Sequence, residues 1–234
     1  MPLNILFEND RIIVINKPDG ILVIPDQYTG AADTLQGQIS AYLKKKAFVV
    51  HRIDRDTSGI VLFAKDAEAH KHLCVQFENA EVKKKYQTIV RGRVREDDGV
   101  IIQPILTEGR EVSIDPDGKY SETAFKVLER FRDYSFLEVS PKTGRRHQIR
   151  LHLTSSGHPL AVDKEYTRTE ALYLSELKKN YKSSGKEKPL IGRLSLHSAS
   201  ITFKEPETQK DLTVEAPLPD DFELTLKQLR KYNS

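Results

Sequence analysis

The residues best equipped for chemistry lie in one short stretch, His51 to Ser58, which reads HRIDRDTS. Asp54 stands between Arg52 and Arg55, just before a polar break at Thr57, Ser58 and Gly59. A carboxylate held by a guanidinium stays ionised and oriented. That suits a nucleophile or a base, and does not suit an acid that must keep its proton. Asp56 competes for the role, but it lies nearer Thr57 and Ser58, where it can satisfy the N–H groups of the turn. A surface loop laced with ion pairs is the plain alternative, since exposed pairs are common and contribute little.

Two further clusters carry charge. Arg145, Arg146, His147 and Arg150 form a dense positive run within Lys142 to Arg150, with Gln148 as a neutral hydrogen-bonding group. This pattern fits a phosphate-tracking patch with one arginine turned inward, or a solvated helix face. Lys83, Lys84 and Lys85 directly precede Tyr86. An aromatic beside lysines is expected where a base stacks and its backbone is neutralised, although Tyr86 also fits as an ordinary sheet residue. Other chemistries lack a signature. The seven histidines show no tight ligand spacing with cysteines or acids, so no metal is expected. No phosphate-cradling GK[ST] loop and no Gly-rich dinucleotide fingerprint occur, and Ser58 is not flanked as a nucleophile elbow.

These residues must be positioned by mixed elements. Leu3 to Phe7, Ile12 to Asn16 and Ile21 to Ile24 read as strands, with a turn at Lys17-Pro18-Asp19-Gly20. Asp33 or Thr34 can cap a helix to about Lys46, with Leu35, Ile39, Tyr42 and Leu43 on its apolar face, and Asp66 a helix from Ala67 to about Asn79. Ile60 to Phe63 and Tyr86 to Val90 read as strands. Ser121 to Leu128 and Tyr134 to Val139 suggest an antiparallel pair. A short helix fits Arg145 to Leu153, another Thr169 to Asn180, and an amphipathic one Phe222 to Tyr232. Leu194 to His197, Ala199 to Phe203 and Leu212 to Glu215 complete the strands. Strand and helix do not alternate regularly, which favours an α+β fold over a doubly wound sheet.

The chain has 234 residues, 30% of them charged, and a formal net charge of +3. That permits a polyanionic partner without requiring one. The single cysteine, Cys74, excludes an internal disulfide and reads as a half-buried helix residue. No basic leader and no apolar stretch of membrane-spanning length are present, so a cytoplasmic location away from the membrane is expected.

The run HRIDRDTSG, residues 51–59, resembles the signature of RNA pseudouridine synthases of the RluA type. The similarity continues in order along the chain. Asn16-Lys17-Pro18-Asp19-Gly20 resembles the opening NKPxG segment, and Lys85-Tyr86 with Val90 and Gly92 the KxYxAxVxG strand. PKTGRRHQIRLH, residues 141–152, resembles the third motif. Gly157-His158-Pro159 and Asp163 to Tyr166 resemble the GxP…GDxxY continuation, and Leu196-His197 through Phe203 the LHAxxLxF strand. Two positions depart from the pattern: Val162 and Thr167 stand where the family has glycine.

The resemblance implies a single catalytic domain over residues 1–234, without the small S4-type RNA-binding domain of many relatives. It implies a mixed, mostly antiparallel sheet with flanking helices and a basic central cleft. Asp54 would act on the target nucleoside, Tyr86 would stack on the flipped uracil, and Arg150 would hold Asp54 by a salt bridge. Arg52 would help fill the gap left by the base, and Leu196 would line the uracil pocket. Lys83, Lys84, Lys85, Arg145 and Arg146 would meet phosphates. None of these roles falls on Asp163 to Tyr166. The reaction implied is isomerisation of uridine in RNA to pseudouridine, without a cofactor, by a monomer acting on a stem-loop of ribosomal or transfer RNA. Residues 169–188 look like an insertion, either a basic RNA contact or a solvated linker. The competing reading is an inactive RNA-binding domain of the same fold. A hydrolase using Asp54 with Asp56, or a DNA-binding module, has no supporting motif.

Overall fold

A computed structural model describes residues 3–182 and 185–234. Among these residues the chain forms twelve strands and five α-helices. The strands are β1 (Ile5–Glu8), β2 (Ile12–Lys17), β3 (Phe48–Val49), β4 (Ser58–Ala64), β5 (Lys83–Arg91), β6 (Asp98–Ile102), β7 (Ile105–Glu108), β8 (Glu111–Ile114), β9 (Glu122–Arg130), β10 (Tyr134–Pro141), β11 (Leu196–Lys204) and β12 (Asp211–Glu215). The helices are α1 (Leu35–Leu43), α2 (Ala67–Glu78), α3 (Gln148–Ser155), α4 (Leu174–Leu177) and α5 (Asp220–Tyr232). Two compact units result: Met1–Lys85 with Ser198–Pro217, and Tyr86–His197 with Leu218–Ser234.

In the first unit β1, β2 and β4 pair antiparallel, β3 lies on β4, and β12 on β11. Ile12 to Ile15 and Ile60 to Phe63 are essentially inaccessible, which explains why both strands read as unbroken apolar runs rather than alternating ones. Ala69 and Leu73 of α2 pack with Ile60, Leu62, Ile201 and Phe203. The Asp66 carboxylate accepts from the Ala69 N–H and starts α2, and Thr34 Oγ accepts from the Gly37 N–H and starts α1. Helix α1 ends before the expected Lys46, because Lys44 adopts a left-handed conformation, φ 53°. Tyr42, expected on its apolar face, is exposed and donates its hydroxyl to Glu8.

The second unit is built on β5, β10, β9 and β6, each paired antiparallel to the next. Tyr134 and Phe136 of β10 pack with Ile89 of β5 and with Phe222, Leu226 and Leu229 of α5. Helix α5 carries Asp220, Asp221 and Glu223 in its first turn and Arg230 and Lys231 in its last, each matched to the helix dipole. A separate hairpin, β7–β8, packs Ile105 and Val112 against Leu151 of α3. The fold is the α+β arrangement with a mostly antiparallel sheet that the sequence led us to expect.

Several element boundaries differ. Ile21 to Ile24 is not a strand: the carbonyls of Leu22 and Val23 accept from Leu35 N and Gln36 N, so this segment serves the open end of α1. The helix expected over Thr169 to Asn180 shrinks to α4, four residues long. Leu194 to Phe203 is not two strands, since β11 runs unbroken from Leu196 to Lys204. Part of the 169–188 segment, Ser183 and Ser184, lies outside the described residues.

Candidate active site

Asp54 lies in the first unit, on the loop that enters β4. The loop is set by its backbone. Thr57 N donates to the Asp54 carbonyl at 3.2 Å, closing the turn over Arg55 and Asp56. Gly59 then has φ +107°, and a Cβ there would stand 2.2 Å from the Ser198 carbonyl oxygen, so only glycine lets β11 approach. Lys17 braces the loop from below. It is wholly buried at the end of β2, and its ammonium donates to the carbonyls of Pro18, Ile21 and Arg55 at 2.8, 2.9 and 2.8 Å. One side chain thus ties the Lys17–Gly20 turn to the residue after Asp54. Sequence reasoning treated this lysine as part of a turn. The usable signal was a lysine closing the apolar run Ile12 to Ile15.

His51 supports the same loop. Its Nε2 accepts from Leu62 N at 3.0 Å, and its ring stacks on Phe77 at 4.9 Å between centroids. Burial, reinforced by the charge of Lys84, pushes its pKa down to about 3, so the imidazole is neutral and acts as an acceptor. Arg52 is exposed, as are Lys83 and Lys85. Lys84 alternates to the other side of β5 and is half-buried, and desolvation lowers its pKa. Cys74 is half-buried in α2, and burial followed by the charge of Glu78 raises its thiol pKa, which does not favour a nucleophile.

Tyr86, Arg150 and Leu196 lie in the second unit. Tyr86 is 9% exposed and opposes Val139 across the β5–β10 pair. Leu196 is buried at the start of β11. Helix α3 begins at Gln148, later than expected, because His147 takes φ 54° and turns the chain before the first helical residue. Gln148 belongs to the framework and not to a charged surface. Its Oε1 accepts from Thr143 Oγ1 and Arg145 N, and its Nε2 donates to Glu122 O and Thr123 Oγ1. Arg145 is exposed and Arg146 half-buried, so both present charge outward.

Arg150 is the arginine turned inward, 6% exposed. Its Nε and Nη2 donate to the two oxygens of Asp163 at 2.8 Å each, and Nη2 also donates to Glu165 Oε2 at 2.8 Å. The Tyr166 ring lies 4.7 Å from its guanidinium carbon. Burial opposes ionisation of Asp163, but the hydrogen bonds and charge of Arg150 outweigh it and hold the carboxyl below its usual range. Asp163 and Glu165 were missed as site residues. Their signal was a charged Asp-Lys-Glu-Tyr run set directly after the apolar Leu160-Ala161-Val162. Among the described residues no group of three or more histidines, cysteines or carboxylates is placed to hold a metal ion, and no helix is long and apolar enough to cross a membrane.

Comparison with known proteins places this geometry. The fold is that of pseudouridylate synthase domains: the solved structure of human RNA pseudouridylate synthase domain containing 4 superposes with a TM-score of 0.74 at 21% identity, covering 97% of this chain and 93% of that one. The family model described as RNA pseudouridylate synthase matches residues 11–155. Ribosomal large subunit pseudouridine synthase C of Vibrio parahaemolyticus is 38% identical over 98% of this chain and 70% of its own length. The uncharacterized RNA pseudouridine synthase YlyB of Bacillus subtilis is 35% identical over 99% of this chain and 74% of its own length. The chain belongs to the RNA pseudouridylate synthase family, enzymes that isomerise uridine in RNA to pseudouridine. None of these relatives points to the inactive RNA-binding alternative.

Proposed function

We propose that Asp54 supplies the carboxylate that starts the isomerisation, with Tyr86 stacked on the flipped uracil and Arg150 as the cation that keeps the reacting carboxylate ionised. The bond between uracil N1 and the ribose carbon breaks, the uracil turns, and carbon 5 bonds to the same ribose carbon. Carbon 5 releases its proton and N1 ends with one, so atoms balance and nothing is oxidised. The base must leave its stack for a loop carboxylate to reach it. Arg52 would help fill the space the base vacates, and Leu196 would line the uracil pocket. Arg145, Arg146 and the lysines at the start of β5 would carry phosphates, which give affinity without sequence information. The observation that supports this reading most is Asp54 on a loop whose backbone is fixed by Lys17, Thr57 and Gly59.

The substrate in this reading is a stem-loop of ribosomal large-subunit RNA, as the names of several relatives suggest, with transfer RNA as the second candidate. The enzyme would act as a cytoplasmic monomer. The test is tritium release from RNA labelled at uridine carbon 5, run on both RNA classes. Asp54→Asn should lower single-turnover release by ~10³-fold or more while RNA binding persists. Asp56→Asn should keep most activity. Release at the parent rate by folded Asp54→Asn protein would refute the reading.

A further inference from the structure

The chain approaching Pro25 is tied to the Asp54 loop. Lys17 Nζ donates to Ile21 O at 2.9 Å and to Arg55 O at 2.8 Å, so one ammonium holds both the stretch leading to Pro25 and the residue after Asp54. Arg55 adds a second tie, its Nε donating to Gly20 O at 3.0 Å. The next two carbonyls, of Leu22 and Val23, accept from Leu35 N and Gln36 N at the start of α1. On the far side, Asp33 N donates to Gly30 O at 3.1 Å. The loop Pro25-Asp26-Gln27-Tyr28-Thr29-Gly30 is therefore fixed at both ends, in the same unit as Asp54.

The tip of the loop is fixed as well. Asp26 Oδ1 accepts from Tyr28 N at 2.9 Å and from Thr29 N at 2.7 Å, so a side chain closes the turn. These two N–H groups, with a smaller part from the charge of Arg55, hold the Asp26 carboxyl below its usual range. Tyr28 stands on this turn with 78% of its surface exposed, against 52% for Tyr42 and 55% for Tyr120. A single exposed aromatic is ordinary on a protein surface. What sets Tyr28 apart is its company: Arg52 and Arg55, both exposed, on the loop that carries Asp54. An aromatic ring beside cations is how proteins hold unpaired bases, the ring stacking on the base and the cations neutralising its backbone.

We propose that Tyr28 is a stacking platform for an unpaired base of the substrate RNA, flanking the uridine that is isomerised. This rests on the role given to Asp54 under the proposed function. Extruding the target uridine breaks the stack on either side of it, which leaves neighbouring bases in need of a new face. A fixed ring next to the Asp54 loop supplies one. Every base has a π-face, so the platform sets where the strand lies and not which base lies there. Tyr28 touches RNA but not the reacting atoms, and its removal should weaken binding.

The chain contains no tryptophan, so Tyr28→Trp introduces a single indole whose fluorescence reports a base stacked on it. The full chain carrying this change is titrated with unmodified large-subunit ribosomal RNA and with unmodified transfer RNA. Emission should be quenched by whichever RNA binds, and quenching should persist when Asp54→Asn is added. In parallel, Tyr28→Ala should weaken binding of that RNA by ~10-fold, within the range for loss of one stacked base. Tyr28→Leu keeps apolar bulk without a ring and should be as weak as Tyr28→Ala. Tyr28→Phe keeps the ring and should restore tight binding. RNA that binds the tryptophan variant without quenching it would overturn the platform, as would Tyr28→Ala at the parent affinity. Tyr28→Phe as weak as Tyr28→Ala would also overturn it, since the ring alone would then not suffice. Tritium release at the parent rate by Asp54→Asn would instead refute the reading of Asp54, so the two failures are distinguishable.

Discussion

Asp54 and Arg150 lie in different compact units, and they are held by different means. The Asp54 loop is fixed through backbone groups: a buried ammonium on three carbonyls, a turn hydrogen bond, and a neutral histidine accepting from a strand N–H. Arg150 is fixed through side-chain charge, by Asp163 and Glu165. A loop braced at its backbone keeps its course when a side chain on it is replaced. A guanidinium braced by carboxylates depends on their ionisation. The first arrangement suits a group that must change its bonding during the reaction, and the second a group whose charge must stay constant.

The largest effect that would break this contrast is expected at Lys17. Lys17→Met keeps the length of the side chain but removes the ammonium, leaving the part-buried carbonyls of Pro18, Ile21 and Arg55 without this donor. A hydrogen bond to a charged group contributes about 1.5–3 kcal/mol, and water can replace part of what these carbonyls lose, so a loss of about 2–3 kcal/mol is expected in denaturant unfolding. Activity should fall with stability, because the Arg55 carbonyl would no longer be tethered. A variant as stable as the parent would show that the loop is held some other way.

A smaller effect sharpens the contrast by pH. The folded-state pKa of His51, pushed down to about 3 by burial, lies below its unfolded value near 6.5. The unfolded chain therefore binds the proton more readily, and the contribution of neutral His51 is present in full above about pH 6.5. It is lost progressively as pH falls from there toward 3, with a slope of at most about 1.4 kcal/mol per pH unit. His51→Phe retains an aromatic ring beside Phe77 but gives up the acceptor for Leu62 N. The variant should be the less stable at pH 7, and the gap to the parent should narrow at pH 5 and pH 4. Asp163 loses its contribution in the same direction but in a lower window, as pH falls below the ordinary carboxylate value. A parent–variant gap independent of pH would mean that His51 is not held neutral.

Much of this organisation was legible in the sequence because it is local. Thr34 and Asp66 sit where helix caps are needed, and the apolar runs of β2 and β4 announce inner strands. The antiparallel pairing of β9 with β10 follows from two strand-like runs close together in the chain. What sequence could not show is long-range. The carbonyls of Leu22 and Val23 are engaged by a helix end thirteen residues on, which removes them from any ladder. The role of Lys17 depends on Arg55, and the burial of the Arg150 charge depends on Asp163 and Glu165, thirteen and fifteen residues later. A propensity reading sees the residue types and cannot see that they meet.

The smallest effect concerns charges that face solvent in both units. Lys83 and Lys85 are exposed on β5, whereas Lys84 is half-buried and its ammonium is partly desolvated. Alternation along the strand puts the first two on one side and Lys84 on the other. A lysine gripping a phosphate releases counterions, and each such contact adds about 0.7–0.9 to the slope of log affinity against log salt. Replacing Lys83 and Lys85 together by glutamine should lower that slope by ~1.5, whereas Lys84→Gln should leave it unchanged. In the second unit, Arg145→Gln should lower it by ~0.8, and Arg150→Gln should not alter it, because the charge of Arg150 is already committed to Asp163 and Glu165. The slope thus separates charges that meet RNA from charges that build the site. A fall in slope for Lys84→Gln equal to that of its neighbours would place all three lysines on the RNA and remove the distinction.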